Sequence, residues 1–260
     1  MTGRDALSTH AQMPPARPLI VAHRGLHHSH PENSHAAFRA AWQAGIEWCE
    51  CDVHFDRFDR PYILHDDSLD RTTTATGPIA AHDWRQLADV HLRGADGLPT
   101  NERLPPLDAV VGYMTPRQAL LVEMKVPMTW KNDTGVFWLM FQRRARWMLQ
   151  SFDRAFIESV PASIRFGNEY LVPTALLVDA ATFSPEAAAA DVTAVHVEHT
   201  ALTAATVALL RGAGKGVGAW TVNTEADLRR VIGLGVDMVI TDEPFLARAL
   251  TDKLCAPVTP

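Results

Sequence analysis

The sequence predicts a single closed barrel of eight parallel strands alternating with helices, a TIM-type (β/α)8 barrel with a small insertion after the second strand. Three observations lead there. Short runs rich in Val, Leu and Ile recur eight times, with helical patterns between them. Most of these runs lack sustained polar alternation, as strands do when both faces of a sheet are covered. The chain has 260 residues, close to the roughly 250 that such a barrel uses as one domain.

The elements follow in order. Residues 1–18 form a polar, Pro-rich extension ahead of the first strand, Leu19–His23. Asn33 or Ser34 caps the next helix, which runs through Ala36, Phe38, Ala40 and Trp42 to Gly45. The second strand covers Ile46–His54, and Pro61–His65 pairs back onto its tail across the turn Asp56–Arg60. Residues 66–106 break the rhythm, with turns at Thr72–Gly77 and Arg93–Pro99, a short helix around His82–Ala88 and no core strand. Such a long irregular segment reads as an insertion over one end of the barrel, shaping the substrate mouth. Further strands are expected at Ala119–Lys125, Arg146–Phe152, Thr174–Asp179, Ala194–His199, Gly216–Asn223 and Met238–Thr241. Val136–Trp147 is aromatic and basic but has no isolated apolar face, so it reads as a barrel helix running into the fourth strand rather than as a membrane-surface helix. Thr203–Arg211 and Thr224–Ile232 carry clear caps, with Gly212 and Gly233 after their ends, and Pro244–Thr251 closes the ring. No linker divides residues 1–260.

A hydrophobic content of 47% is enough for a large core. The net charge of −6 argues against a nucleic-acid partner, whose binders are basic overall. It does not exclude an anionic substrate, because local Arg and Lys set the potential in a cleft. No apolar run follows a basic start, and none reaches the ~20 residues that span a bilayer, so neither a secretory signal nor a transmembrane segment is expected and the expected location is cytoplasmic. Cys49, Cys51 and Cys255 make no disulfide framework. Strand alternation puts Cys49 and Cys51 on the face opposite Glu50 and Asp52, as packing thiols.

Barrel active sites lie at the C-terminal ends of the strands. Those ends carry His23-Arg24, Glu50-x-Asp52, Glu123-x-Lys125, Ser151-Phe152-Asp153, Glu198-His199, Trp220–Asn223 and Thr241–Glu243. Glu50 and Asp52 share one face of their strand, and Glu123 and Lys125 repeat that spacing on the next core strand. Three carboxylates from neighbouring strands suit one divalent cation, Mg²⁺ or Ca²⁺, since both take oxygen ligands; the alternative is neutralisation by Arg24 and Lys125 alone. His23 and His65 suit acid–base work near neutral pH, against the plain alternative of histidines hydrogen-bonded in place. His27, His28, His30 and His35 crowd the first loop and helix and read as solvated loop residues. Arg24 can hold a phosphate oxygen as a fork or pair with Glu32 or Glu50, and Trp220 can wall the pocket or pack the barrel end.

These motifs together resemble the glycerophosphodiester phosphodiesterase family. The matching pieces are HRG at 23–25, PEN at 31–33, ECD at 50–52, HDDSLDRTT at 65–73 and EMK at 123–125, with SFD at 151–153, AWTVNT at 219–224 and ITDEP at 240–244. They occur in the family's order from about Leu19 to Leu250. The resemblance implies a β/α barrel, His23 as general base and His65 as general acid. It implies Glu50, Asp52 and Glu123 as ligands of one divalent cation, and the segment after His65 as the family's small capping subdomain. The implied substrates are glycerol phosphodiesters such as deacylated phospholipids, cleaved through a cyclic phosphate to glycerol 3-phosphate and an alcohol.

The chain departs from the family pattern in places. Ser34 stands where Thr is usual, and Asp59-Arg60-Pro61 replaces a common Asp-Gly turn. His54 shares the inward face with Asp52, where it can touch substrate or add a ligand. Competing classes are a related barrel phospholipase of the sphingomyelinase D or phosphatidylinositol phospholipase C type, a barrel amidohydrolase, and a non-catalytic phosphodiester-binding barrel. The intact EMK and ITDEP motifs disfavour the first. The second needs metal-binding histidines on the fifth strand, which has none, and the third is expected to have lost a site residue.

Overall fold

The computed structural model describes residues 17–126, 146–163, 165–166, 169–170 and 173–256. The extension as far as residue 16 and the 136–145 part of the expected fourth-strand helix fall outside them.

The elements are β1 (Leu19–Ala22), α1 (His35–Gln43), β2 (Trp48–Phe55), β3 (Pro61–Ile63), α2 (Trp84–Leu87), β4 (His91–Arg93), β5 (Pro99–Arg103), α3 (Leu107–Tyr113) and β6 (Ala119–Met124). They continue with β7 (Arg146–Ser151), α4 (Arg154–Ser163), β8 (Arg165–Phe166), β9 (Glu169–Tyr170), β10 (Thr174–Val178) and β11 (Ala194–Glu198). The last are α5 (Ala204–Gly212), β12 (Gly216–Trp220), α6 (Glu225–Gly233), β13 (Met238–Thr241) and α7 (Pro244–Leu254). The strands β1, β2, β6, β7, β10, β11, β12 and β13 pair in that order, all parallel. β13 pairs back onto β1, with Leu19 against Met238 and Ala22 against Thr241, and so closes the barrel.

Two apolar layers follow from the strand period of two. Outward residues such as Cys49, Cys51, Leu120 and Val122 join Phe38 of α1, Val110 of α3 and Leu228 of α6 in the main core. Inward residues Val21, Trp48, Ala119, Leu121, Met238 and Ile240 form a smaller cluster inside the barrel. Further along the same inward rows come Glu50, Asp52, Glu123 and Gln150, all buried. The barrel interior thus turns from apolar to polar toward the C-terminal ends. Among the described residues no helix is long and apolar enough to cross a membrane.

Ser34 is the cap of α1, accepting the Ala37 N–H at 3.0 Å, and Thr203 and Thr224 cap α5 and α6 in the same way. Each such cap contributes about 1 kcal/mol. The antiparallel β3 extends the tail of β2, pairing Val53 with Ile63 and Phe55 with Pro61. In the turn between them Asp59 takes φ 60°, the left-handed position that a glycine usually fills. Asp56 stabilises that turn, its Oδ1 accepting the N–H groups of Phe58 at 2.8 Å and Arg60 at 3.0 Å.

Residues 66–106 add no strand to the barrel. They hold instead the antiparallel pair β4–β5 and a core of their own, where Leu69, Ile79, Leu87, Leu92 and Leu104 pack against Tyr62 and Leu64 of the hairpin.

Candidate active site

The site begins with a backbone requirement. Gly25 has φ 77°, and a Cβ there would fall 2.7 Å from the Ala37 carbonyl carbon. Only glycine lets the chain turn left-handed while α1 packs this close. Arg24 is itself left-handed at φ 55°. Its N–H donates to Glu50 Oε2 at 3.1 Å, its Nη1 donates to Glu32 Oε1 at 3.0 Å, and its Nε lies 3.2 Å from Asp52 Oδ2. Asn33, also left-handed, donates from Nδ2 to Asp52 Oδ2 at 2.8 Å. The first loop is therefore fastened to the carboxylate strand through Arg24 and Asn33.

Asp52 and Glu123 are direct register partners on β2 and β6, with Glu50 two residues earlier on the same face. Each of the three offers a carboxylate oxygen, and these oxygens lie within 4.8 Å of one another. Lys125 Nζ stands 2.6 Å from Glu123 Oε1 and 2.9 Å from Asp52 Oδ1. The second contact is an ion pair without hydrogen-bond geometry, so the buried Asp52 Oδ1 has no hydrogen-bond partner.

Three buried carboxylates crowded together do not ionise alike. Burial, then the Asp52 charge, pushes Glu50 well above the usual range and raises Glu123. Burial works against Asp52 too, but Lys125 and Arg24 outweigh it and hold that carboxyl at about 2. Lys125 and Arg24 answer for part of the negative charge only. A hard cation would add a ligand contact at Asp52 Oδ1, which Lys125 meets only as an ion pair, and would let the other two ionise. The donor set fits Mg²⁺ or Ca²⁺.

The two histidines are held alike. His23, immediately after β1, donates from Nδ1 to Asp242 Oδ1 at 2.7 Å. His65, after β3, donates from Nδ1 to Asp66 Oδ1 at 2.7 Å. An imidazole fixed at Nδ1 leaves Nε2 free to take or give a proton. Arg71 of the insertion locks the second pair, with Nε 2.6 Å from Asp66 Oδ2 and Nη2 2.9 Å from Glu32 Oε1. The Arg71 hydrogen bond, more than the one from His65, holds Asp66 well below the usual carboxylate range. Burial raises Asp242, but hydrogen bonds from His23 and His27 overcome it and bring that group below its range as well.

His23, Arg24, Glu50, His65, Glu123 and Lys125 all face one cavity of about 200 Å³. With that geometry in view, the likeness to known proteins is specific. A family model described as the glycerophosphoryl diester phosphodiesterase family matches residues 23–246. The chain belongs to that family. It is 27% identical over 235 residues to YhdW of Bacillus subtilis, covering 86% of this chain and 94% of that one. It is 26% identical over 277 residues to the glycerophosphodiester phosphodiesterase of the same organism, covering 95% and 90%. In fold it matches the structure of an Oleispira antarctica phosphodiesterase in complex with the product sn-glycerol-3-phosphate, with a TM-score of 0.77, 24% identity and coverage of 90% and 97%.

In this member of the glycerophosphoryl diester phosphodiesterase family, Trp220 stands at the cavity wall and packs the barrel end at once. Its Nε1 donates to the His196 carbonyl at 3.0 Å, and its ring meets Phe152 edge-on at 5.5 Å while lining the cavity. Arg24 likewise makes its Glu32 pair at the cavity wall. His54 is outside the carboxylate cluster, because its Nε2 donates to the His65 carbonyl at 3.1 Å and so supports that residue's backbone. The expectation that His27 and His35 are solvated is wrong. His27 Nε2 donates to Asp242 Oδ1 at 2.8 Å, and His35 Nδ1 is 2.9 Å from the Tyr113 hydroxyl because α1 packs beside the end of α3. Burial lowers His35. Sequence reasoning gives Asp66, Asp242 and Arg71 no role and offers Asn33 only as a helix cap, although each lies inside a motif that carried the resemblance.

Proposed function

We propose that this chain hydrolyses glycerophosphodiesters to glycerol 3-phosphate and an alcohol, with His23 and His65 as the acid–base pair and Glu50, Asp52 and Glu123 as ligands of one divalent cation. One observation carries the reading. Two histidines, each with Nδ1 held by an aspartate at 2.7 Å, face the same small cavity as Glu50 and Glu123 of the carboxylate cluster. The names of the relatives supply the substrate class.

In this reading His23 Nε2 takes the proton of the glycerol hydroxyl next to the phosphodiester, and that oxygen attacks phosphorus. His65 Nε2 gives its proton to the departing alcohol oxygen. The cyclic phosphate left behind is opened by water with the two roles reversed, which returns both histidines to their starting states. Arg24 and Lys125, at the cavity wall, offset charge on the phosphate oxygens. Glu50, Asp52 and Glu123 would hold the cation, which when bound would supply electrostatic stabilisation of the same phosphate. The segment 66–106 caps the mouth and delivers Arg71 to the His65–Asp66 pair.

The test is phosphorus NMR of the full chain with glycerophosphocholine, glycerophosphoethanolamine and glycerophosphoglycerol, each with Mg²⁺ and with Ca²⁺. Release of sn-glycerol 3-phosphate is expected. Inertness toward all three, or selective cleavage of micellar sphingomyelin or phosphatidylinositol, would overturn the reading.

A further inference from the structure

The first loop holds more histidine than an acid–base role for His23 requires. His27 Nε2 reaches the same oxygen, Asp242 Oδ1, that holds His23 Nδ1, at 2.8 and 2.7 Å. His23, His27 and Asp242 each present one ligand atom, all within 4.8 Å of one another. A tetrahedral ion with bonds of about 2.0–2.1 Å spaces its ligands by roughly 3.3 Å, so the two hydrogen-bonded contacts need to open by only about half an ångström. Asp242 is anchored for this. Asn223 Nδ2 donates to its Oδ2 at 2.5 Å, and Asn223 Oδ1 accepts its N–H at 2.9 Å. The three side chains are 19%, 23% and 19% exposed, which gives an ion from solvent a way in.

We infer that His23, His27 and Asp242 form a zinc site separate from the carboxylate cluster. Two imidazole nitrogens and one carboxylate, with a fourth position left for water, are a donor set that zinc takes. Magnesium and calcium prefer oxygen and are drawn to Glu50, Asp52 and Glu123 instead. The two sites thus sort their ions by ligand chemistry.

The consequence rests on the proposed role of His23 as the base. A neutral imidazole carries one proton. Hydrogen-bonded to Asp242, that proton sits on Nδ1 and leaves the Nε2 lone pair for catalysis. Zinc on Nδ1 moves the proton to Nε2, and the ring then has no basic nitrogen. Zinc at this site therefore switches the enzyme off without displacing the activating cation.

The experiment uses the full chain saturated with Ca²⁺, titrated with Co²⁺ as a visible probe and with Zn²⁺ in turnover assays. The wild type should bind one Co²⁺ with the intense absorption of a four-coordinate, nitrogen-ligated ion. His27→Gln should weaken that binding at least about tenfold, the lower end of what disturbing a metal's ligand shell costs. It should raise the Zn²⁺ concentration for half-inhibition by the same factor. Half-inhibition is read against each variant's own zinc-free turnover, so a change in basal rate does not enter the comparison. His28→Gln, the neighbour whose Nδ1 faces Glu243 at 3.5 Å, should change neither. A cobalt spectrum that His27→Gln leaves unaltered, or no nitrogen-ligated cobalt at all, overturns the site. Nitrogen-ligated cobalt together with turnover that zinc leaves untouched overturns the role of His23 and not the site. Should His27→Gln fail to fold, zinc-edge X-ray absorption of the wild type decides, with two imidazoles in the shell for the site and an all-oxygen shell against it.

Discussion

The Cβ that Gly218 lacks would fall 2.4 Å from Cδ2 of His196, inside the barrel. His196 has little room to yield, being 1% exposed and held from Nδ1 by Gln150 Oε1 at 2.8 Å. Gly218→Ala should therefore cost about 1–3 kcal/mol, the usual penalty for overpacking a core. Thermal or urea melts read this directly. The same change made in a His196→Ala background should cost much less, since the ring that clashes is gone. Equal costs in both backgrounds would show that the contact is not the cause.

His196 also makes stability depend on pH. Burial lowers it from 6.5 to about 4, so the native state keeps the ring neutral while the unfolded chain protonates it. Between those values the unfolded state binds more protons, and stability rises with pH. Its contribution is fully present above about pH 6.5 and is lost as pH falls toward 4, on the order of 3 kcal/mol in all. His196→Gln should remove this part of the pH dependence. Urea melts of both proteins across the window should converge as pH falls, and parallel curves would mean that the ring titrates normally in the folded protein.

Cys49 and Cys51 alternate with Glu50 and Asp52 on β2 and sit in the main core at 0% exposure, where burial pushes both thiols well above their ordinary value. The double change Cys49→Ser with Cys51→Ser should leave divalent-cation stoichiometry untouched. It should lower stability by roughly 1–3 kcal/mol for each buried hydroxyl left without a partner. Calorimetric cation titration of the folded variant checks this, and a lost binding site would place the thiols on the wrong face.

Much of this was legible in the sequence because two periodicities carry it. Alternation on β2 alone separates Glu50 and Asp52 from the two cysteines, and Glu123 on β6 with Lys125 just past its end repeats the spacing. The strand expected at Gly216–Asn223 is shorter in the structure, where β12 stops at Trp220 and Asn223 turns to Asp242. The aspartates behind the histidines were not assigned, for different reasons. Asp66 follows His65 directly, yet adjacency alone does not imply a hydrogen bond. Asp242 lies 219 residues from His23 and meets it only because β13 closes on β1. The small core of the insertion was missed because its apolar residues, Leu69 to Leu104, are too scattered to show a period.

Asp66 should act through His65. Burial lowers His65 first, with Asp52 and the Asp66 hydrogen bond pulling it back up. Asp66→Asn removes a charge that favours the protonated ring, so the pH above which the general acid is lost should move down. Turnover at low pH should suffer less than in His65→Ala. A pH–rate profile with its basic limb in the wild-type position would leave Asp66 without a part in tuning the acid.

The histidines and the carboxylates should separate by what each variant loses. His23→Ala and His65→Ala should each cut turnover by roughly 10²–10⁴-fold, the usual contribution of a positioned acid or base. Neither should change Mg²⁺ or Ca²⁺ affinity, because neither belongs to the carboxylate cluster. Glu50→Gln, Asp52→Asn and Glu123→Gln should instead weaken cation binding, and raising the cation concentration should restore part of the activity. Asp52→Asn should be the most damaging of the three to the fold, since Arg24, Asn33 and Lys125 all converge on that carboxylate. Calorimetric titration beside steady-state kinetics distinguishes the groups. Full turnover after exhaustive cation removal would eliminate the proposed role of the cluster, and wild-type turnover in either alanine variant would take that histidine out of the reaction.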